Sequence, residues 1–303
     1  MPIVPDHHQL DIFADARDVM LRNDLVDALA RRDLRASHAC IDCLGAEYPA
    51  DALLAPARSL AAVLAGAGEP LDATAGAGTP GTADRYLREH VLPAAVTVLG
   101  AVQGRAWLVP LWRELALQRA SLPWNGARPD DHATPLWLAA GDWARAAESA
   151  GSIASWRRIP DPLTWMTEAR YRLIGLDETW PLLTELAWLS PRRLDALLVA
   201  LADPLLNRLR RRFDQDFDAG GHATDPHGAL AWFPAWVLTH TPALGPHVSP
   251  AEPGQDSLPE RALRLLVQLL GLEHQGRHND LMSRRKSLRD LSSPLYEAYM
   301  ATR

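Results

Sequence analysis

A chain of 303 residues with 48% apolar side chains can bury a full-sized core, which excludes wholesale disorder, and two cysteines exclude a disulfide scaffold. The formal charge of −6 argues against a dedicated nucleic-acid binder, which carries a basic excess. The longest charge-free apolar stretch, 91–104, contains Pro93 and falls short of the roughly 20 residues that a membrane span needs, so no membrane partner is expected.

Asp6, Asp11 and Asp15 stand where a secretory leader would be basic, and with the two cysteines this predicts a cytoplasmic protein. Sustained apolar/polar alternation of the strand type is missing, while apolar residues three and four apart recur along the chain. Their spacing predicts short helices over 18–31, 34–46, 51–65, 83–103, 105–120, 134–140, 142–150 and 162–174. Further helices are predicted over 178–189, 191–202, 204–217, 226–240, 258–274, 277–290 and 294–300. Many starts are marked by a capping oxygen before a proline: Thr134-Pro135, Asp161-Pro162, Ser190-Pro191, Asp203-Pro204, Asp225-Pro226 and Ser293-Pro294. Proline has no N–H to lose at the first helical position, and its fixed φ suits a helix. The glycine-rich segment 66–82 and the proline-rich segment 241–257 read as loops, the latter as an extended spacer or an ordered crossover. Short helices joined by tight turns pack as antiparallel neighbours, so the expected fold is all-α: stacked hairpins in one domain over 1–303, with a subdomain break possible at either loop.

Two segments carry a sharper pattern. Arg32-Asp33-Leu34 is followed by Ser37, Ile41, Leu44 and Pro49, and Gly141-Asp142-Trp143 is followed by Ala146, Ala150 and Ile153. Both resemble the turn and second helix of a tetratricopeptide repeat, with Arg32 replacing the turn glycine, Leu34 the aromatic, and Arg158 the closing proline of the second match. A small residue three positions past the aromatic lets paired helices approach closely. The resemblance implies a degenerate helical repeat that binds a protein or peptide; an irregular α-helical array is the alternative, since no strict repeat period links the two matches.

Motifs that would carry chemistry are weak. Cys40 and Cys43 form a C-x-x-C pair inside a predicted helix, with Asp42 opposing thiolate formation, and read as core cysteines. Asp214, Asp216, Asp218 and Asp225 have the spacing of a calcium loop, but Ala219 stands at the glycine position and Asp225 at the glutamate position. An acidic helix end facing Arg208, Arg210, Arg211 and Arg212 explains the same residues. His274 and His278 share a helix face, with Gln275 where a metalloprotease has its glutamate, and His222, His227, His240 and His247 lack ligand spacing. The glycine-rich 76–82 has no P-loop lysine, and no nucleophile–base set stands out. No catalytic residue, metal site or cofactor is predicted.

Eleven tryptophans are the most unusual feature of the composition, and core packing accounts for most of them. The expected function is a protein- or peptide-binding scaffold using aromatic and arginine residues, with Trp143, Trp180, Trp188, Arg208, Arg211, Arg212, Arg284 and Arg285 as candidate contacts. A small-molecule or metal-binding helical protein, or an enzyme with a pocket between helices, is the alternative. Nucleic-acid contact through the basic C-terminal helices, rich in Arg284, Arg285, Lys286 and Arg289, is a third.

Overall fold

The computed structural model describes residues 12–66, 82–218, 228–275 and 278–303, and among these there are α-helices and no strand. Each helix packs chiefly against its neighbours in sequence, so the chain is an all-α array. It divides into two compact units, Met1–Gly141 and Asp142–Arg303.

In the first unit, α1 (Ile12–Ala30) and α2 (Leu34–Glu47) form a hairpin that α3 (Leu54–Ala65) covers. Next come α4 (Thr82–Tyr86), a π-helical turn (Leu87–Val91) and α5 (Leu92–Leu99), which run into one another; α5 packs on α3. The stretch 83–103, expected as one helix, is broken at Gly100, whose φ of +81° no α-helix accommodates. After that break α6 (Ala101–Gln118) folds back on α5, and α7 (Ala133–Ala139) packs on α6. The α5–α6 contact is close: a Cβ on Gly104 would lie 2.7 Å from the Ala95 carbonyl and the Val96 nitrogen. Leu25, Leu29, Leu44, Leu60, Leu87 and Leu108 fill this core.

In the second unit, α8 (Trp143–Gly151) and α9 (Pro160–Ile174) form a hairpin around the 3₁₀ turn Trp156–Arg158. Then follow α10 (Leu176–Leu189), α11 (Pro191–Leu201), α12 (Pro204–Asp216) and α13 (Phe233–His240). The last three helices are α14 (Leu258–Gln275), α15 (His278–Leu291) and α16 (Ser293–Ala301). Helix α10 is the centre: residues 179–187 are all buried, and α9, α11 and α13 pack around it. A helix apolar on every side belongs in an interior. Phe213, Phe217, Phe233 and Trp236 form a second nucleus, with Phe213 edge-on to Phe233 and Trp236 at centroid distances of 5.4 and 5.6 Å. The proline-rich 241–257 is an ordered crossover, with 3₁₀ turns at Pro242–Leu244 and Pro246–Val248.

The two turns singled out by the repeat-like pattern share their local geometry. Arg32 and Gly141 both adopt left-handed backbone, with φ of +57° and +69°. A non-glycine residue there costs about 1–2 kcal/mol, and Arg32 offsets it with its side chain. Its guanidinium stacks on Trp107 at 4.5 Å and donates to the Trp107 carbonyl, while the Trp107 indole donates to the Leu29 carbonyl at 2.8 Å. Ser37 and Ala146, the small residues of the pattern, are both fully buried. Asp33 caps α2 by accepting from the Ala36 N–H at 3.0 Å.

The proline-marked starts need adjustment. Asp203 caps α12 through the Leu206 N–H at 2.7 Å, and Ser190 occupies the cap of α11 without a side-chain bond. At Thr134, Asp161 and Ser293 the helix begins earlier, with His132, Ile159 and Ser292 at the cap. All the N–H groups of a first turn lack helical partners, so proline is tolerated there at more than one position. The Asp225 cap, the calcium-loop residues Ala219, Gly220, Gly221 and Asp225, His222 and His227 lie outside the described residues. So do the glycine-rich loop beyond Gly66 and the side chains of His274 and His278. Cys40 is half-buried and Cys43 exposed, which corrects their reading as core cysteines: Ser37, Ile41 and Leu44 occupy the inner face of α2 and leave the cysteines at its edge.

Candidate functional site

A concavity in the second unit opens over the C-terminal end of α10. It is a cleft of about 240 Å³ whose floor is Glu185, Trp188 and Leu189. Glu185 and Trp188 are one turn apart on α10 and therefore share a face. One wall is the 3₁₀ turn carrying Arg157 and Arg158, launched by Ser155 in left-handed backbone at φ +56°. The other wall is the end of the crossover, from Glu252 to Ser257, where it enters α14.

A charged network ties these three pieces together. Arg157 makes a forked pair with Glu185, Nε to Oε2 at 3.0 Å and Nη2 to Oε1 at 2.7 Å, the strongest geometry available to these groups. Its remaining arm reaches Glu252 at 2.9 Å. Glu185 Oε1 also accepts the backbone N–H of Glu252 at 2.8 Å, which straps the crossover to the central helix. Burial pushes the Glu185 carboxyl above its ordinary value, and the Glu252 N–H and Arg157 counter this only in part. Arg158 meets Glu252 at 3.3 Å and donates to the Pro253 carbonyl.

The start of α14 is capped by side chains, in a variant of the capping box whose glutamate reaches past the cap residue. Ser257 Oγ accepts from the Glu260 N–H at 3.5 Å, and the buried Glu260 carboxylate folds back onto the N–H groups of Gly254 (2.9 Å) and Asp256 (3.0 Å). Arg264 pairs with Glu260 and lies 5.6 Å from the Trp188 ring centroid. Asp256 takes left-handed backbone (φ +54°), a conformation aspartate tolerates, and Gly254 is packed so tightly that a Cβ would meet Glu260 at 2.9 Å. The Trp188 indole N–H is buried without an acceptor among the described residues.

Of the candidate contacts, only Trp188 lies in this cleft. Trp180, at 1% exposure, is sealed inside α10's surroundings and reaches no surface groove. Trp143 is half-buried beneath Arg172, 5.8 Å away. Arg208, Arg211 and Arg212 are exposed on α12, where Arg212 pairs with Asp216 and Arg210 with Asp195 and Asp214. Two of the four aspartates of the calcium-like pattern, Asp214 and Asp216, are thus engaged by arginine. Arg284 is exposed and borders a shallow concavity with Gln268, Gly271 and Asp280. Arg285 is committed inward: it donates to Tyr299 at 3.2 Å and to Glu273 at 3.3 Å, and Arg303 completes the network on Glu273. It locks α16 onto α15 and α14.

Arg157, Arg158, Glu185 and Glu252 did not emerge from the sequence patterns. One signal was present: Glu185 is the sole charge in the apolar run 180–189, and a buried carboxylate demands a partner. Among the described residues, no three His, Cys, Asp or Glu side chains gather as metal ligands, and no helix is long and apolar enough to cross a membrane. No family model, curated protein or solved structure matches the chain.

Proposed function

We propose that this protein is a cytoplasmic protein- or peptide-binding scaffold of degenerate tetratricopeptide-like character, with the cleft over α10 as its contact point. One observation carries the reading: an indole face and paired guanidinium groups are held in fixed positions around a concavity by a network that spans three segments. Interface hot spots are enriched in tryptophan and arginine because both give large contact area with directional donors. Rigid presentation lowers the entropy lost on binding. The matching left-handed turns at Arg32 and Gly141 support the repeat-like part of the reading.

Affinity capture from the cell of origin, with wild type and Trp188→Ala run in parallel, tests this. A partner retained by wild type and lost from the variant is the expected result. Equal retention by both proteins would place the contact elsewhere, and no partner on either would remove the scaffold reading.

A further inference from the structure

The polar groups around the cleft are not equally committed. Glu185 is spent on Arg157 and the Glu252 N–H, and Glu260 on Gly254, Asp256 and Arg264. Both are buried. The Glu252 carboxylate differs. Its side chain is 42% exposed, and its two partners are Arg157 Nη1 and Arg158 Nη2, the latter on a side chain 53% exposed. The Glu252 backbone is held separately through its N–H, so rotation of the side chain alone frees both guanidinium arms without moving the crossover.

We propose that Arg157 and Arg158 form a carboxylate receptor for an acidic peptide, and that Glu252 is a built-in occupant which the ligand displaces. This rests on the scaffold reading above and names its ligand chemistry. Ion pairs this open are weakly held, so exchanging one carboxylate for another is nearly neutral. With Glu252 swung out, Arg157 Nη1 and Arg158 Nη2 lose their carboxylate partner, and an incoming acid takes the vacated position. Net attachment comes from an apolar neighbour of the acidic residue lying on Trp188 and Leu189, which form the floor. The carboxylate is supplied by an Asp or Glu side chain or by a peptide C-terminus, two sources with the same forked geometry.

The test is a ¹⁵N NMR titration of the full chain, following the Trp188 indole resonance identified by its loss in Trp188→Phe. Three probes are used: acetyl-Leu-Glu-Leu-amide, acetyl-Leu-Gln-Leu-amide, and acetyl-Leu-Gln-Leu with a free C-terminus. Binding of the first alone assigns a side-chain acid, and binding of the third alone assigns a terminus. Either supports the proposal when Arg158→Ala abolishes the shift in a protein with unchanged circular dichroism. Because the internal competitor is removed, Glu252→Gln tightens binding, by about tenfold if Glu252 occupies the site nine-tenths of the time. Equal binding of the neutral amide, no binding of any probe, or unchanged or weaker affinity in Glu252→Gln overturns it. A native partner captured with equal yield by Arg158→Ala would overturn the carboxylate receptor while leaving the scaffold intact.

Discussion

Gly104→Ala sets two physical effects against each other at the α5–α6 contact. Helix propensity alone favours alanine over glycine by about 1 kcal/mol in a helix interior. The packing says otherwise, because the new methyl would sit 2.7 Å from the Ala95 carbonyl carbon and oxygen and from the Val96 nitrogen. Non-bonded heavy atoms prefer roughly 3.5–4.0 Å, so the overlap is on the order of 1 Å. The obstruction is backbone, which no rotamer change relieves, and the two helices must separate along a contact that buries Ala95, Leu99 and Leu108. Overpacking costs about 1–3 kcal/mol, and a backbone clash belongs at the upper end, leaving a net loss of about 1–2 kcal/mol. In a unit of this size that lowers the melting temperature by about 3–8 °C. Gly271→Ala is the control: nothing lies within 4 Å of its Cβ position, so only propensity operates and a gain of about 0.5–1 kcal/mol is expected. Urea unfolding of both variants, followed by far-ultraviolet circular dichroism, decides the matter. Gly104→Ala at or above wild-type stability would refute the close packing.

Two further predictions concern buried polar groups. Glu185→Ala removes the acceptor of three hydrogen bonds and one side of a pair in which Arg157 is 26% exposed, so the loss is about 2–4 kcal/mol. Hydrogen exchange at the Glu252 amide accelerates in parallel, whereas unchanged exchange would show that the strap does not depend on Glu185. Burial holds the His132 imidazole below its ordinary value of 6.5. The folded state therefore binds fewer protons than the unfolded one between that depressed value and 6.5, and stability falls as pH drops through this window. Melting temperatures taken from about pH 7.5 down to pH 5.5 decline, less steeply in His132→Asn, which keeps a capping side chain; identical slopes would contradict the assignment.

Helices such as α11 were legible from local evidence: apolar spacing at Leu194, Leu197, Leu198 and Leu201, all of them buried, and a proline at the start. The Arg32 and Gly141 turns were legible for the same reason, since a left-handed residue followed by an aspartate is a local signal. Two helices were expected here with the break at Gly104, and it falls at Gly100 instead, because 91–104 reads as one apolar run that does not mark where the chain turns; Gly104 lies inside α6 against Ala95. Trp180 could not be assigned a side, since α10 is apolar all round and its periodicity selects no face. The cleft was hidden by sequence distance. Arg157 meets partners 28 and 95 positions away, and no local rule pairs them. Glu185 gave the one readable hint, as a lone carboxylate in an apolar segment.

The scaffold reading stands or falls on what touches the cleft in the cell. A photo-crosslinking amino acid placed at Leu189, with a control at Val199 (74% exposed and outside the cleft), measures this directly. A discrete adduct from position 189 that is missing from position 199 and lost on Arg158→Ala is the predicted result. No adduct from 189, or the same adducts from both positions, would contradict it.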